Sequence, residues 1–238
     1  MGESNVRSDD GVSTSTEEYL EWIYRLSKEQ EKVTTSDLAR SIGVSPASVS
    51  GMLKRLSERG FLDYTPYRHV SLTDEGRRVG ARIIRRHGLL ERLLCDVLAF
   101  PWHKVDDAVR HIAPHITDEV EARLDSFLGH PKTCPHGQPI DWEDAASAIR
   151  LSTMSPGEIG IISRIGDETP AFLEHVQGLG LMPQVAVTLI GAGPFGGPLV
   201  VQVGEQQHAI GNGVADNIWI ERDSIRPAGD HAVSTPQG

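Results

Sequence analysis

The stretch Thr34–Gly60, TTSDLARSIGVSPASVSGMLKRLSERG, limits the possible folds more than any other part of this chain. Thr34 and Asp37 stand at the spacing of a reciprocal helix cap, so a short helix starts there. Gly43 supplies a turn, and Ser45 caps a second helix with Pro46 in its first turn, where a missing N–H does no harm. That helix runs to Gly60. Strand-like Phe61–Tyr64 and His69–Leu72 follow around a turn at Pro66. Thr73 then caps a long helix, DEGRRVGARIIRRHGLLERLLCDVLA. Upstream, Ser15 and Glu18 have capping-box spacing, and Leu20, Ile23 and Leu26 recur at helical spacing.

Helix, turn, Ser-Pro helix and small hairpin together outline a winged helix-turn-helix. The charge distribution agrees. The chain carries net charge −10, yet residues 34–86 hold ten Lys/Arg against five Asp/Glu, a local excess of +5. A basic module on an acidic body fits a DNA-facing segment. On its second helix Ser45, Pro46, Ala47, Ser48 and Ser50 are small enough to approach base edges or phosphates. Lys54, Arg55 and Arg68 supply phosphate neutralisation.

The rest of the chain reads as two further modules. WHKVDDAVRHIAPHI and TDEVEARLDSFLG are helical, the second with Val120, Leu124, Phe127 and Leu128 on one side, which suits a core or a dimer interface. GHPKTCPHGQPIDWED reads as a structural loop and AASAIRLSTMSP as a linker. From Leu151 short strand-like runs alternate with Gly/Pro turns, interrupted by helical TPAFLEHVQGLG, as in a small β-barrel. No apolar run is long enough to span a membrane, and MGESNVRSDDGVSTST has the make-up of neither a signal nor a transit peptide. Two cysteines, Cys95 and Cys134, fit a reducing cytoplasm. No nucleophile–base pair or phosphate loop stands out, so an enzyme is not expected. The expected class is α+β. Its segments are a tail (1–12), a winged helix-turn-helix (13–75), a helical metal-binding and dimerisation domain (76–148), an SH3-like barrel (149–226) and a second tail (227–238).

STEEYLEWIYRL, VTTSDLARSIGVSPASVSGMLKRLSERGFL, LTDEGRRVGARIIRRHGLLERLL, TDEVEARLDSFLGHP and CPHGQPI, in this order, resemble the diphtheria toxin repressor and manganese transport regulator family. LSTMSPGEIGIISRI, LGLMP and GPFGGPLVVQVG are similar to its SH3-like domain, also found in ferrous-iron transport accessory proteins. The resemblance spans roughly Ser13 to Arg226. It implies a cytoplasmic homodimeric repressor of metal homeostasis that binds a palindromic operator when loaded with Mn(II) or Fe(II), two metal ions per subunit.

Eight residues are candidate ligands. Glu18 and Glu21 share a helix face. Glu18 reads either as a hard ligand suited to Mn(II) or as the capping carboxylate. His87 and Glu91, i and i+4 on the long helix, match the family's ancillary site, to which Asp106 and Glu168 also correspond by resemblance. In RHIAPHIT the family's ligand positions fall, without a gap, on Arg110, Ala113 and Pro114, none of which is a ligand. A one-residue slip offers His111 and His115 instead. The primary site is then either rebuilt from Glu18, Glu21, His111 and His115, the favoured reading, or lost. In the second case the chain binds DNA without metal or with another effector.

Overall fold

A computed structural model of the chain describes residues 14–64, 69–141 and 148–222. The chain forms two compact units. One holds the residues up to Ala146 together with Asp167–Gly178; the other holds Ser147–Gly166 and the residues from Leu179 onward.

In the first unit α1 (Thr14–Glu29), α2 (Thr35–Ile42) and α3 (Pro46–Glu58) precede β1 (Leu62–Tyr64) and β2 (Val70–Leu72). The expected caps are present. Thr34 accepts from the Asp37 N–H, and the Asp37 side chain returns a bond to the Thr34 N–H. Gly43 closes α2 at φ 76°, a left-handed conformation that favours glycine. Ser45 caps α3, with Pro46 in its first turn. β1 and β2 pair antiparallel, Leu62 opposite Leu72. Leu20, Ile23, Leu38, Val49, Leu53 and Leu56 are fully enclosed beneath these helices. Each such side chain contributes about 1.5–3 kcal/mol, so this small module has a core of its own. Ser15 lies inside α1, and the Glu18 carboxylate goes to Arg110 rather than to a cap.

The long helix is shorter than its sequence suggests. α4 runs Asp74–Arg92, capped by Thr73, and the next five residues widen into a π-turn that ends before Ala99, at φ 52°. After a single 3-10 turn come α5 (Val105–Ile112), a second 3-10 turn at Ala113–His115, and α6 (Asp118–Phe127) capped by Thr117. α7 (Pro170–Gly178) completes the unit.

The second unit is one antiparallel sheet in the order β3-β8-β4-β5-β6-β7. Its strands are β3 (Ile149–Arg150), β4 (Ile159–Ile165), β5 (Ala186–Ala192), β6 (Leu199–Val203), β7 (Gln206–Ile210) and β8 (Ile218–Arg222), with a short α8 (Asn212–Ala215) before β8. Register shifts between Ile162 and Arg164 and between Leu189 and Gly191 bend the sheet. Leu151, Ile162, Ile165, Val187, Val201, Ile218 and Ile220 fill its core. The segment read as a linker thus contributes β3, paired with β8.

α4 meets the wing at Gly76. A Cβ there would lie 2.0 Å from the Phe61 carbonyl oxygen, a backbone atom that also accepts from the Thr73 N–H. Gly76→Ala is expected to destabilise the first unit by about 1–3 kcal/mol, read as a lower midpoint in thermal melting.

Candidate metal centre and nucleic-acid interface

The N-terminal half of α3 is solvent-facing. Ser45, Pro46, Ala47, Ser48 and Ser50 are all exposed, while Val49 turns into the core. Ser45 Oγ accepts from the Ser48 N–H at 3.2 Å and lies 2.9 Å from Ser48 Oγ. The Ser50 hydroxyl donates back to the Pro46 carbonyl. Lys54 and Arg55 follow on exposed surface, Lys54 in a loose 3.9 Å pair with Glu58. This surface is small-residued at its tip and cationic along its flank, the combination that lets a helix approach a groove between phosphates. Arg68 lies outside the described residues.

Among the described residues, a single group of three or more His, Cys, Asp and Glu side chains brings its ligand atoms within 4.8 Å of one another: Glu91, Cys134 and His136. All three are buried, at 1%, 4% and 0% exposure. Glu91 projects from the last turn of α4. The other two come from the Pro/Gly/His loop, expected to be purely structural. Gly88 lets that loop come close, since a Cβ at this position would meet Ile140 Cγ1 at 2.6 Å. Arg92 pins the loop by donating to the Thr133 carbonyl at 2.7 Å and the Cys134 carbonyl at 3.0 Å. Gly137, at φ 85°, returns its N–H to the Cys134 carbonyl.

The imidazole of His136 is oriented for ligation. Its Nε2 lies 2.9 Å from the Trp102 carbonyl oxygen, which can only accept, so Nε2 carries the proton. Nδ1 is thereby directed to Glu91 Oε2 at 3.5 Å and to Cys134 Sγ at 3.8 Å. A backbone carbonyl fixing the far nitrogen is the usual support of a metal-bound histidine. Glu91 Oε2 is buried and makes no close hydrogen bond, its nearest partner being His136 Nδ1 at 3.5 Å, so the site could accept a cation in place of that proton. Burial pushes the Cys134 thiol up to about 12, with the Glu91 charge adding to the shift. Burial alone would lower His136, but Cys134 and Glu91 outweigh it and raise the imidazole to about 12. Burial likewise opposes ionisation of Glu91, yet His136 holds its carboxyl below the ordinary value. Carboxylate, thiolate and imidazole are a competent donor set for a first-row divalent ion.

The other candidate ligands do not join this group. His87 is buried, with Nδ1 3.5 Å from Glu21 Oε2. Glu21 also pairs with Arg25 at 2.8 Å, and Arg25 reaches Glu168 at 3.0 Å. Glu21 stays below the usual carboxylate range because His87 and Arg25 outweigh its burial. Asp106 and Glu18 face Arg110, at 2.8 and 3.5 Å. His111 and His115 are exposed, and His111 Nδ1 donates to the Asp107 carbonyl. The physical reason is the helix end. α5 stops at Ile112, and the 3-10 turn that contains Pro114 breaks the i,i+4 spacing before His115. The structure thus does not bring Glu18, Glu21, His111 and His115 together.

Three family models match successive spans of this chain. Residues 11–70 match the model of the iron dependent repressor N-terminal DNA binding domain, and residues 73–141 that of the iron dependent repressor metal binding and dimerisation domain. Residues 149–222 match the FeoA domain. The HTH-type transcriptional regulator MntR of Bacillus pumilus is 36% identical over 106 residues, 44% of this chain and 73% of that relative. The chain belongs to the iron-dependent repressor family. The iron-dependent repressor IdeR of Mycobacterium tuberculosis is 29% identical over 230 residues, 87% of this chain and 97% of its own length. A solved manganese-dependent transcriptional repressor in complex with manganese superposes with TM-score 0.78 at 31% identity, over 87% of this chain and 99% of that one. The family consists of DNA-binding metal-dependent regulators and not of enzymes. No helix among the described residues is long and apolar enough to cross a membrane.

Because Cys134 and His136 both hold protons at neutral pH, a metal entering this group must displace them. Affinity for Co(II) is expected to rise with pH, by up to about a hundredfold per unit if both protons leave. The bound ion should show a sulfur-to-metal charge-transfer band, absent in Cys134→Ser. Absorbance titrations at two pH values check both outcomes.

Proposed function

We propose that this chain is a cytoplasmic homodimeric repressor that binds operator DNA through α3 and the wing when Glu91, Cys134 and His136 hold one Fe(II) or Mn(II) ion per subunit. The buried, convergent and partly unpartnered donor group carries this reading. The thiolate shifts selection toward Fe(II), since Mn(II) prefers oxygen donors. When bound, the ion supplies fixed positive charge that joins the end of α4 to the 134–140 loop. The chain's own residues do the rest. Trp102 and Gly88 set the loop against α4, and α4 packs along α1 at the edge of the DNA-binding module. An ion favours DNA binding only insofar as it is held more tightly in the DNA-competent arrangement.

The dimer reading rests on the helical segment. Phe127 is 68% exposed, Leu98 62% and Val97 49%, and α6 has no buried residue of its own. Apolar surface of this kind on a domain whose family model is named for dimerisation suits a two-fold partner. A two-fold protein would pair with a palindromic operator.

Anisotropy titrations of a labelled operator test the whole reading. Affinity should rise with Fe(II) or Mn(II), fall with EDTA, and lose its metal response in Cys134→Ser. Arg55→Ala should weaken binding to all sequences and flatten the salt slope by about one, whereas Ser48→Asp should abolish binding by placing a carboxylate at the phosphate-facing tip. Phe127→Asp should shift sedimentation toward monomer at micromolar concentration with metal present. A metal response that survives Cys134→Ser would remove the Glu91 group from the mechanism.

A further inference from the structure

Three carboxylates from α1 and α5 act on one another and share one arginine. Glu18 and Glu21 come from α1 and Asp106 from α5. One turn beyond Asp106, Arg110 lies over them. Its Nε is 2.8 Å from Asp106 Oδ2, its Nη1 is 3.5 Å from Glu18 Oε1, and its charge also acts on Glu21. Only 29% of the Arg110 side chain remains exposed. The carboxylates respond to this company. Burial raises Glu18, and Arg110 is the largest influence opposing that rise.

A guanidinium cannot discharge at any physiological pH, and its planar fork of donors suits carboxylates on two sides. A divalent ion would need the same oxygens at roughly 2.0–2.6 Å. It would also sit beside a fixed positive charge in a half-buried place, where screening is weak. The two cations therefore exclude each other. We infer that Arg110 is a resident cation that occupies the place of a metal ion between α1 and α5. It joins Glu18 of the DNA-binding segment to Asp106 of the helical segment without metal. The metal response of the chain is confined to Glu91, Cys134 and His136, a clause that rests on the function proposed above.

The same geometry explains why these carboxylates do not converge with His111 and His115. The carboxylates near the first helix were legible as metal donors because their residue types and spacing fit. Their cation is present, but it is covalently part of the chain.

Equilibrium dialysis of the full-length protein against Co(II), with absorbance spectra, tests this. Wild-type protein should bind one ion per chain, with the thiolate charge-transfer band. Arg110→His should bind two, the second without that band and lost again on adding Glu18→Gln. Arg110→Lys, which keeps the charge, should bind one, and it keeps the test decisive should the histidine variant fold poorly. In metal-free buffer Arg110→Ala should melt below wild type, and added Mn(II) should restore it. A wild-type second ion that disappears in Glu18→Gln would overturn the inference, as would a second ion in Arg110→Lys. Absence of the thiolate band from wild type, with the Arg110→His ion still gained, would refute the Glu91 group and leave the Arg110 assignment standing.

Discussion

Helix α4 carries three ionisable side chains, Arg86, His87 and Glu91, into places that water hardly reaches. A buried charge without a partner is strongly destabilising, so each of the three dictates what packs against it. Arg86 takes Glu121 at 3.0 Å and Asp118 at 2.7 Å, which brings α6 alongside. His87 faces Glu21 and so fixes the rotation of α1. Glu91 faces His136 and Cys134 and determines where the loop folds back. The three residues lie within two turns of helix. The DNA-binding segment, the acidic helix and the metal-competent loop are thus referenced to one rigid element. Gly76 and Gly88 along the same helix mark where the wing and Ile140 come too close for a side chain, and Gly80 packs tightly on Tyr24.

Much of this is legible in the sequence alone. Thr34, Gly43, Ser45, Pro46 and Thr73 act locally, and a local rule predicts them: each cap satisfies backbone groups within a few residues. The winged helix and the strands of the second unit follow from such signals and from apolar periodicity. The metal group is not local. Glu91 finds its partners in a loop far along the chain, and a C-x-H pair has no ligand count of its own to announce it. The sequence signal available was CPHG beside an H-x-x-x-E helix, but nothing in spacing says that they meet. The two histidines of RHIAPHIT misled for the converse reason. Their separation is helical, yet Pro114 removes an N–H and tightens the turn between them.

The cations at these sites differ in a way that matters for regulation. At Glu18, Asp106 and Glu168 the compensating charges belong to Arg25 and Arg110, and they stay with the chain whatever the composition of the solution. At Glu91 the compensating charge in the metal-free chain is a proton on His136, which is exchangeable. An exchangeable charge can be replaced by a metal ion when one is abundant, and a tethered guanidinium cannot. In the function proposed above, sensing falls where the counter-charge is free to leave, and the arginine-held carboxylates act as fixed joints between helices.

The attachment of α6 follows the same logic and bears on assembly. Its inner side is tied to α4 by ions, with Arg85 reaching Glu121 and Asp125 at 3.1 and 3.0 Å and Arg86 reaching Glu121 and Asp118. Of its apolar residues only Leu124 packs inward, against the cluster of Leu90, Val105, Val109 and Ala113. Val120 and Phe127 point to solvent. A helix held this way gains little from its own apolar face within one chain, because apolar area stabilises only when it is removed from water. Ion pairs hold the helix in position, and the apolar residues left outside give a second copy a reason to bind. In the dimer proposed above, this exposed surface is the one a second copy would cover, and the cationic supports of α6 sit on the same helix, α4, that carries Glu91.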